Sequence, residues 1–272
     1  MSILKRLLVI AVLLFIIPMA ILYFFQENII FRQPSLSEER LTWLRENFPE
    51  AEEVTLETPE GITLHGWFVN HLEEDTVPLI IYFGGNNQEV SQMLEMAYRF
   101  ENWALLALNY RGYGLSEGQP GQDEIFRDAV FVYDAFTGQE DVDPERIVVM
   151  GWSLGSGPAV YLSKHREIAG TILVSPFDSL TRTASKTIPL LPMSLILRHP
   201  FDSLSRAAHI DVPALALVAS EDRLIRPSQS RRLMASWGGP WQLEVIEGRA
   251  HNDIFFCQDY WKHINAFLEG FE

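Results

Sequence analysis

The sequence predicts an α/β fold, with a mostly parallel sheet of eight strands flanked by helices. Three observations carry this. After residue 26, apolar runs bounded by turn residues alternate with longer amphipathic segments. The 272 residues allow one large domain or two small ones, and eight strands in one sheet use that length in a single domain. Apolar residues at 47%, aromatics at 12% and charged residues at 21% describe an ordinary folded chain and exclude a disordered or collagen-like one. With 36 acidic against 21 basic residues, the net charge of −15 argues against a nucleic-acid partner, because phosphate binding needs concentrated Lys and Arg.

The elements follow in chain order. Residues 7–25 (LLVIAVLLFIIPMAILYFF) carry no charge, and Lys5 and Arg6 precede them. As a helix the run would be about 28 Å long, close to the roughly 30 Å hydrocarbon core of a bilayer. Pro18 is tolerable in such a helix, and Tyr23 suits an interfacial position. A cleaved signal peptide would have a shorter apolar stretch and a small-x-small site; Pro18-Met19-Ala20 is a poor match, and the run continues past it. A buried soluble helix is the remaining alternative, disfavoured by the length of the run. Residues 1–26 are therefore expected to be a single-pass membrane anchor and 27–272 one domain. Lys5 and Arg6 favour a cytoplasmic amino terminus, with the domain outside the cytoplasm (periplasmic in a bacterium), although Arg32, Arg40 and Arg45 follow on the other flank. Setting Lys5 and Arg6 aside leaves 19 basic against 36 acidic residues, a charge of −17. Anionic headgroups would repel such a domain, so the anchor rather than surface charge would hold it at a membrane.

Strands are expected at 54–57 and 62–69, either side of a hairpin turn at Pro59-Glu60-Gly61, and then at 78–83, 104–109, 146–150, 170–174, 214–219 and 242–246. Helices are expected at 89–101, 122–136, 154–165, 228–236 and 253–267. A small insertion at about 179–212, before the penultimate strand, breaks the alternation. It contains the apolar segment 188–197 (IPLLPMSLIL) with two prolines, which reads equally as a lid over an apolar pocket or as a core-packing helix.

The chemistry centres on Gly151-Trp152-Ser153-Leu154-Gly155, after the strand RIVVM and at the opening of a helix. Gly-x-Ser-x-Gly at a strand-to-helix junction puts the serine on a sharp, strained turn, where neighbouring side chains would collide. Its hydroxyl then stands at the carboxyl edge of the sheet, beside a helix amino terminus that favours developing negative charge. A serine needs a base, and the base a carboxylate. Of seven histidines only His251 lies in a loop just beyond the last strand; His65, His71, His165, His199, His209 and His263 sit on the hairpin, on helices or near the insertion. Asp222, after the strand ALALVAS, gives the chain order Ser, Asp, His; Asp178, after the preceding strand, is the alternative acid, and either could cap a helix instead. The backbone amides of Leu154 and of Asn86, in Gly84-Gly85-Asn86-Asn87, are the expected oxyanion donors. The lone Cys257 can form neither an intramolecular disulfide nor a Cys-based zinc site. No metal, phosphate-loop or dinucleotide motif occurs, so no cofactor is implied.

These residues together resemble the α/β-hydrolase superfamily over almost everything after about residue 54, and by pattern the membrane-anchored serine hydrolases of the Bem46 type. Gly84-Gly85-Asn86 is similar to the family's His-Gly-Asn loop, with Gly84 in place of the histidine. Asn109-Tyr110-Arg111-Gly112-Tyr113-Gly114-Leu115-Ser116 resembles its Asp-x-Arg-Gly-x-Gly-x-Ser segment, with Asn109 in place of the aspartate, and Pro200-Phe201-Asp202-Ser203 adds to the match. The resemblance implies an esterase, thioesterase or lipid-acyl hydrolase whose partners are a small-molecule or lipid acyl ester and the membrane. A serine peptidase and a non-catalytic binding protein on the same fold are the alternatives.

Overall fold

A computed structural model describes residues 3–271, with residues 4 and 6–13 described by their backbone alone. Helix α1 (Ile3–Ile30) takes in the apolar run, passes Pro18 without breaking and crosses the expected border at residue 26. Among the described residues no helix is long and apolar enough to cross a membrane; the side chains of residues 7–13, the first part of the expected anchor's run, lie outside them. Helix α2 (Glu38–Asn47) was not expected from periodicity, yet its start signal is in the sequence. The Ser37 hydroxyl accepts the Arg40 N–H at 3.2 Å, Glu38 and Glu39 stand in the first turn, and Leu41 and Leu44 are buried.

The eight strands are β1 (Ala51–Glu57), β2 (Thr63–Val69), β3 (Val77–Phe83), β4 (Ala104–Leu108), β5 (Val142–Trp152), β6 (Gly170–Val174), β7 (Ala214–Ala219) and β8 (Trp241–Ile246). They form one sheet in the order β1-β2-β4-β3-β5-β6-β7-β8. β1 and β2 pair antiparallel, as do β2 and β4, and every later pair is parallel. The hairpin turn closes through Gly61 at φ +77°, a conformation glycine adopts without cost. Strands β3 to β7 are buried along most of their length, and their period-two alternation sorts side chains into two cores. Leu79, Ile81, Ile147, Val149 and Ala216 enter one core, while Ile80, Tyr82, Val148, Met150 and Leu217 enter the other.

Helices α3 (Gln122–Phe136), α4 (Ser156–His165) and α8 (Pro227–Met234) cover the first core. The second is covered by α2, by α9 (Gln258–Leu268) and by a 3-10 helix, Val90–Phe100, where an α-helix was expected. Its buried apolar residues recur at 90, 93, 94, 97 and 100, a spacing that three residues per turn also keep on one side. The single helix expected at 253–267 is divided at Cys257, between a 3-10 turn (Ile254–Phe256) and α9. The insertion holds three short helices, α5 (Leu180–Thr187), α6 (Met193–Ile196) and α7 (Leu204–Ala207).

α1 is tied to that insertion. Gln26 is buried; its amide donates to Ile196 O at 3.1 Å and its Oε1 accepts Arg198 N–H at 2.7 Å. Glu27 pairs with Arg198 at 3.1 Å, and the Arg198 guanidinium lies 5.3 Å from the Tyr23 ring centre. The next residue after the helix, Phe31, is buried edge-on against His199 and Phe201.

Candidate active site

β5 ends at Trp152 and the chain turns at once into a 3-10 turn (Ser153–Gly155) and then α4. Ser153 takes φ +54°, a left-handed conformation that a serine rarely adopts. The flanking glycines are a steric necessity: a Cβ on Gly151 would lie 2.2 Å from Gly155 O, and one on Gly155 would lie 2.0 Å from Phe83 O. The turn is tight enough to press α4 against the end of β3, and only hydrogen fits between them.

Loops from three strand ends meet at this turn. His251, after β8, places Nε2 2.9 Å from Ser153 Oγ and Nδ1 2.7 Å from Asp222 Oδ2. A carboxylate only accepts, so Nδ1 carries the proton and Nε2 is left to accept the serine O–H. The other Asp222 oxygen accepts the Leu224 and Ile225 N–H groups at 2.9 and 2.8 Å, so both of its oxygens are satisfied. The histidine loop is itself held to the aspartate loop. Glu221 N–H donates to Arg249 O at 2.8 Å and Gly248 N–H to Ser220 Oγ at 2.9 Å, while Ala250 N–H to Asp253 Oδ1 at 2.6 Å braces the histidine loop within itself. The Trp152 ring lies 5.7 Å from the imidazole, centre to centre. All three residues of the chain are buried.

Asp178, the alternative acid, is fully buried but engaged elsewhere: it pairs with Arg232, with Arg182 at 3.4 Å, and accepts its neighbour Ser179 N–H at 2.7 Å. Of the other histidines, His65 meets Glu53, His71 meets Glu101 O, His165 meets Tyr161 O, His199 meets Gln122 N and Glu27, and His263 lies 4.0 Å from Glu244.

The Gly84-Gly85-Asn86 loop lies beside the serine turn, and Gly85 is needed there because a Cβ would come within 2.8 Å of the Trp152 ring. Three buried side chains that pattern reading did not single out hold this loop. Gln88 Oε1 accepts both Tyr82 O–H at 2.8 Å and Gly85 N–H at 3.2 Å. Tyr110 O–H donates to Gly84 O at 2.8 Å and Tyr113 O–H to Asn86 O at 2.9 Å. Burial pushes the phenols of Tyr82, Tyr110 and Tyr113 well above the ordinary tyrosine range, so they stay protonated and remain donors. Asn109 suits this site. Its amide donates to Glu89 Oε1 at 2.9 Å while its oxygen accepts Val90 N–H at 3.1 Å. An aspartate there would set one carboxylate against another.

Ser153 opens into a cavity of about 250 Å³ whose walls are largely apolar. Asn86 and Leu154 border it at the serine; α5 and α6 contribute Leu180, Ala184 and Met193, and α1 contributes Leu22, Ile29 and Ile30. The segment 188–197 divides its residues: Ile188, Met193 and Leu197 face the cavity, whereas Leu190 and Leu195 are exposed. A nucleophile with a positioned base, next to an apolar space and an amide-bearing loop, is an arrangement suited to acyl transfer.

Known proteins resemble this chain in sequence and in fold. Residues 74–202 match the family model described as serine aminopeptidase, S33. An uncharacterized Mycobacterium tuberculosis protein is 33% identical over 207 residues, 75% of this chain and 74% of its own. A Saccharomyces cerevisiae protein whose name calls it a membrane protein is 27% identical over 225 residues, 80% of this chain and 79% of its own. Among solved structures, the Pyrococcus furiosus esterase Pf2001 superposes with a TM-score of 0.65 at 20% identity, covering 83% of this chain and 95% of that one.

Proposed function

The chain belongs to the α/β-hydrolase superfamily, and from that membership we propose that it is a membrane-anchored serine hydrolase cleaving carboxylic esters or thioesters, lipidic acyl esters among them. The observation that carries this reading is the hydrogen-bonded series from Ser153 through His251 to Asp222, with Ser153 lining an apolar cavity. In the proposed reaction, Ser153 Oγ attacks the acyl carbon as its proton passes to His251 Nε2, and Asp222 stabilises the imidazolium that forms. The tetrahedral intermediate collapses when Nε2 returns the proton to the leaving alkoxide or thiolate, which leaves an acyl-serine. Water then attacks the acyl-serine by the same proton path, releasing the acid and restoring the serine. The backbone amides of Leu154 and Asn86 are assigned to the oxyanion, where each such donor is worth about a hundredfold or more in rate.

Esters are favoured over peptides by the cavity wall. An aminopeptidase has to pair the ammonium of its substrate, and no charged side chain is among the described residues lining the cavity. Attachment to a membrane is assigned to residues 7–25, with the domain outside the cytoplasm; the uncharged run and the name of the yeast relative support it. Retention in carbonate-washed membranes, with the domain open to protease from outside, is the expected result. Release by carbonate would reject the anchor.

Ser153→Ala is expected to abolish hydrolysis of p-nitrophenyl acyl esters, and a fluorophosphonate to label the active chain at Ser153. Wild-type turnover by the variant would reject the assignment.

A further inference from the structure

The cavity at Ser153 has a wall that lies outside the hydrolase sheet and its covering helices. Leu22, Gln26, Ile29 and Ile30 of α1 line it. They are spaced four, three and one residues apart, which puts them on a single stripe of the helix. Leu180 and Ala184 of α5, four residues apart, and Ile188 just after it also line the cavity. The stripe on α1 is fixed relative to the insertion, because Gln26 bonds to the backbone of both Ile196 and Arg198 and Glu27 pairs with Arg198. Ile29, 52% exposed, stands at the rim of the cavity, and the other side of α1 carries Ile21, Phe24 and Phe25, which are also exposed, line no part of the cavity and continue the uncharged run. One helix therefore presents a pocket-lining face and an outward apolar face at the same level.

We propose that α1 determines specificity in this hydrolase: its stripe is one wall of the acyl-chain site, and Leu22 and Ile29 limit the length of chain accepted. The occupant is the linear acyl chain of the ester. The reading of Ser153 as nucleophile, on which this rests, fixes the carbonyl at the serine, and the space beyond it runs between α1 and α5. Every methylene buried there is worth roughly fourfold in binding, so a side chain that fills the far end penalises long chains and spares short ones. A helix that acted only as a tether would carry no such information.

The test is an acyl-length series, p-nitrophenyl acetate against octanoate, on the full-length chain in detergent micelles. Leu22→Trp and Ile29→Trp are expected to lower the octanoate-to-acetate ratio of kcat/KM by about tenfold or more, chiefly through KM. Leu22→Ala is expected to move the preference toward longer chains. Phe24→Ala, on the outward face, is expected to leave the ratio at its wild-type value. If the tryptophan variants fail to fold, Leu22→Ala decides the matter alone. An unchanged ratio in the stripe variants, with fluorophosphonate still labelling Ser153, would overturn the role of α1 and leave the hydrolase reading intact. A wild-type chain that neither labels at Ser153 nor turns over any ester would overturn both.

Discussion

Single residues in this protein are constrained by contacts that leave no room for substitution. Gly155 carries no side chain because Phe83 O occupies the place of its Cβ, and Ser153 accepts a left-handed backbone so that its hydroxyl clears the turn. Asp222 is constrained by charge. Two backbone N–H groups hold one oxygen, and the other holds the proton on His251 Nδ1. Asp222→Asn keeps the volume but presents an amide whose N–H competes for Nδ1, so the imidazole is driven to the tautomer that cannot accept from Ser153. kcat for ester hydrolysis is expected to fall by about ten-thousandfold with the fold preserved, checked by steady-state kinetics beside circular dichroism. A loss of less than tenfold would mean that Asp222 only caps its loop.

At the scale of elements, the informative contact is α1 against the insertion. Gln26→Ala would leave the buried Ile196 O and the part-buried Arg198 N without their side-chain partner, a cost of about 1–3 kcal/mol for the buried group and less for the other. The melting temperature in detergent is expected to drop by several degrees, and cleavage of the insertion by protease to quicken. A melting temperature at the wild-type value would mean that α1 is not structurally part of the domain. This contact was illegible in the sequence. The uncharged run from Leu7 to Phe25 draws the eye as a unit by itself, but the stripe at 22, 26, 29 and 30 straddles its end, and one helical turn past Phe25 looks like an unassigned linker. The strands were legible because apolar runs such as PLIIYF and ALALVA are bounded by turn residues, and the candidate nucleophile because Gly-x-Ser-x-Gly stands at a strand-to-helix junction. What stayed hidden were partnerships set by tertiary contact: Gln88 with Tyr82, Tyr113 with Asn86, and Asn109 with Glu89. The last two join the ends of β3 and β4, and no spacing rule brings residues from different strand ends together.

The whole molecule stakes its alkaline stability on phenols buried on both sides of the sheet. Tyr110 and Tyr113 lie in one core, Tyr82 and Tyr260 in the other, and burial raises all four above the ordinary value of 10.0. The folded state therefore keeps protons that the unfolded chain gives up near pH 10. The contribution of these groups is complete below that pH and is lost as the pH rises through it toward their folded values. Three of these hydroxyls also hold the loop beside Ser153: Tyr110 and Tyr113 by donating to its carbonyls, Tyr82 by fixing Gln88. Ester hydrolysis and fold should consequently fail together. A pH series is expected to show a melting temperature insensitive to these phenols up to about pH 10 and falling above it. Tyrosinate absorbance from the buried phenols should appear together with loss of the circular-dichroism signal, whereas Tyr98, exposed but pushed up to about 12 by its hydrogen bond to Glu50, should ionise without such a loss. Full ionisation of all the tyrosines near pH 10, with secondary structure and activity intact, would show that the two cores do not exclude water as described.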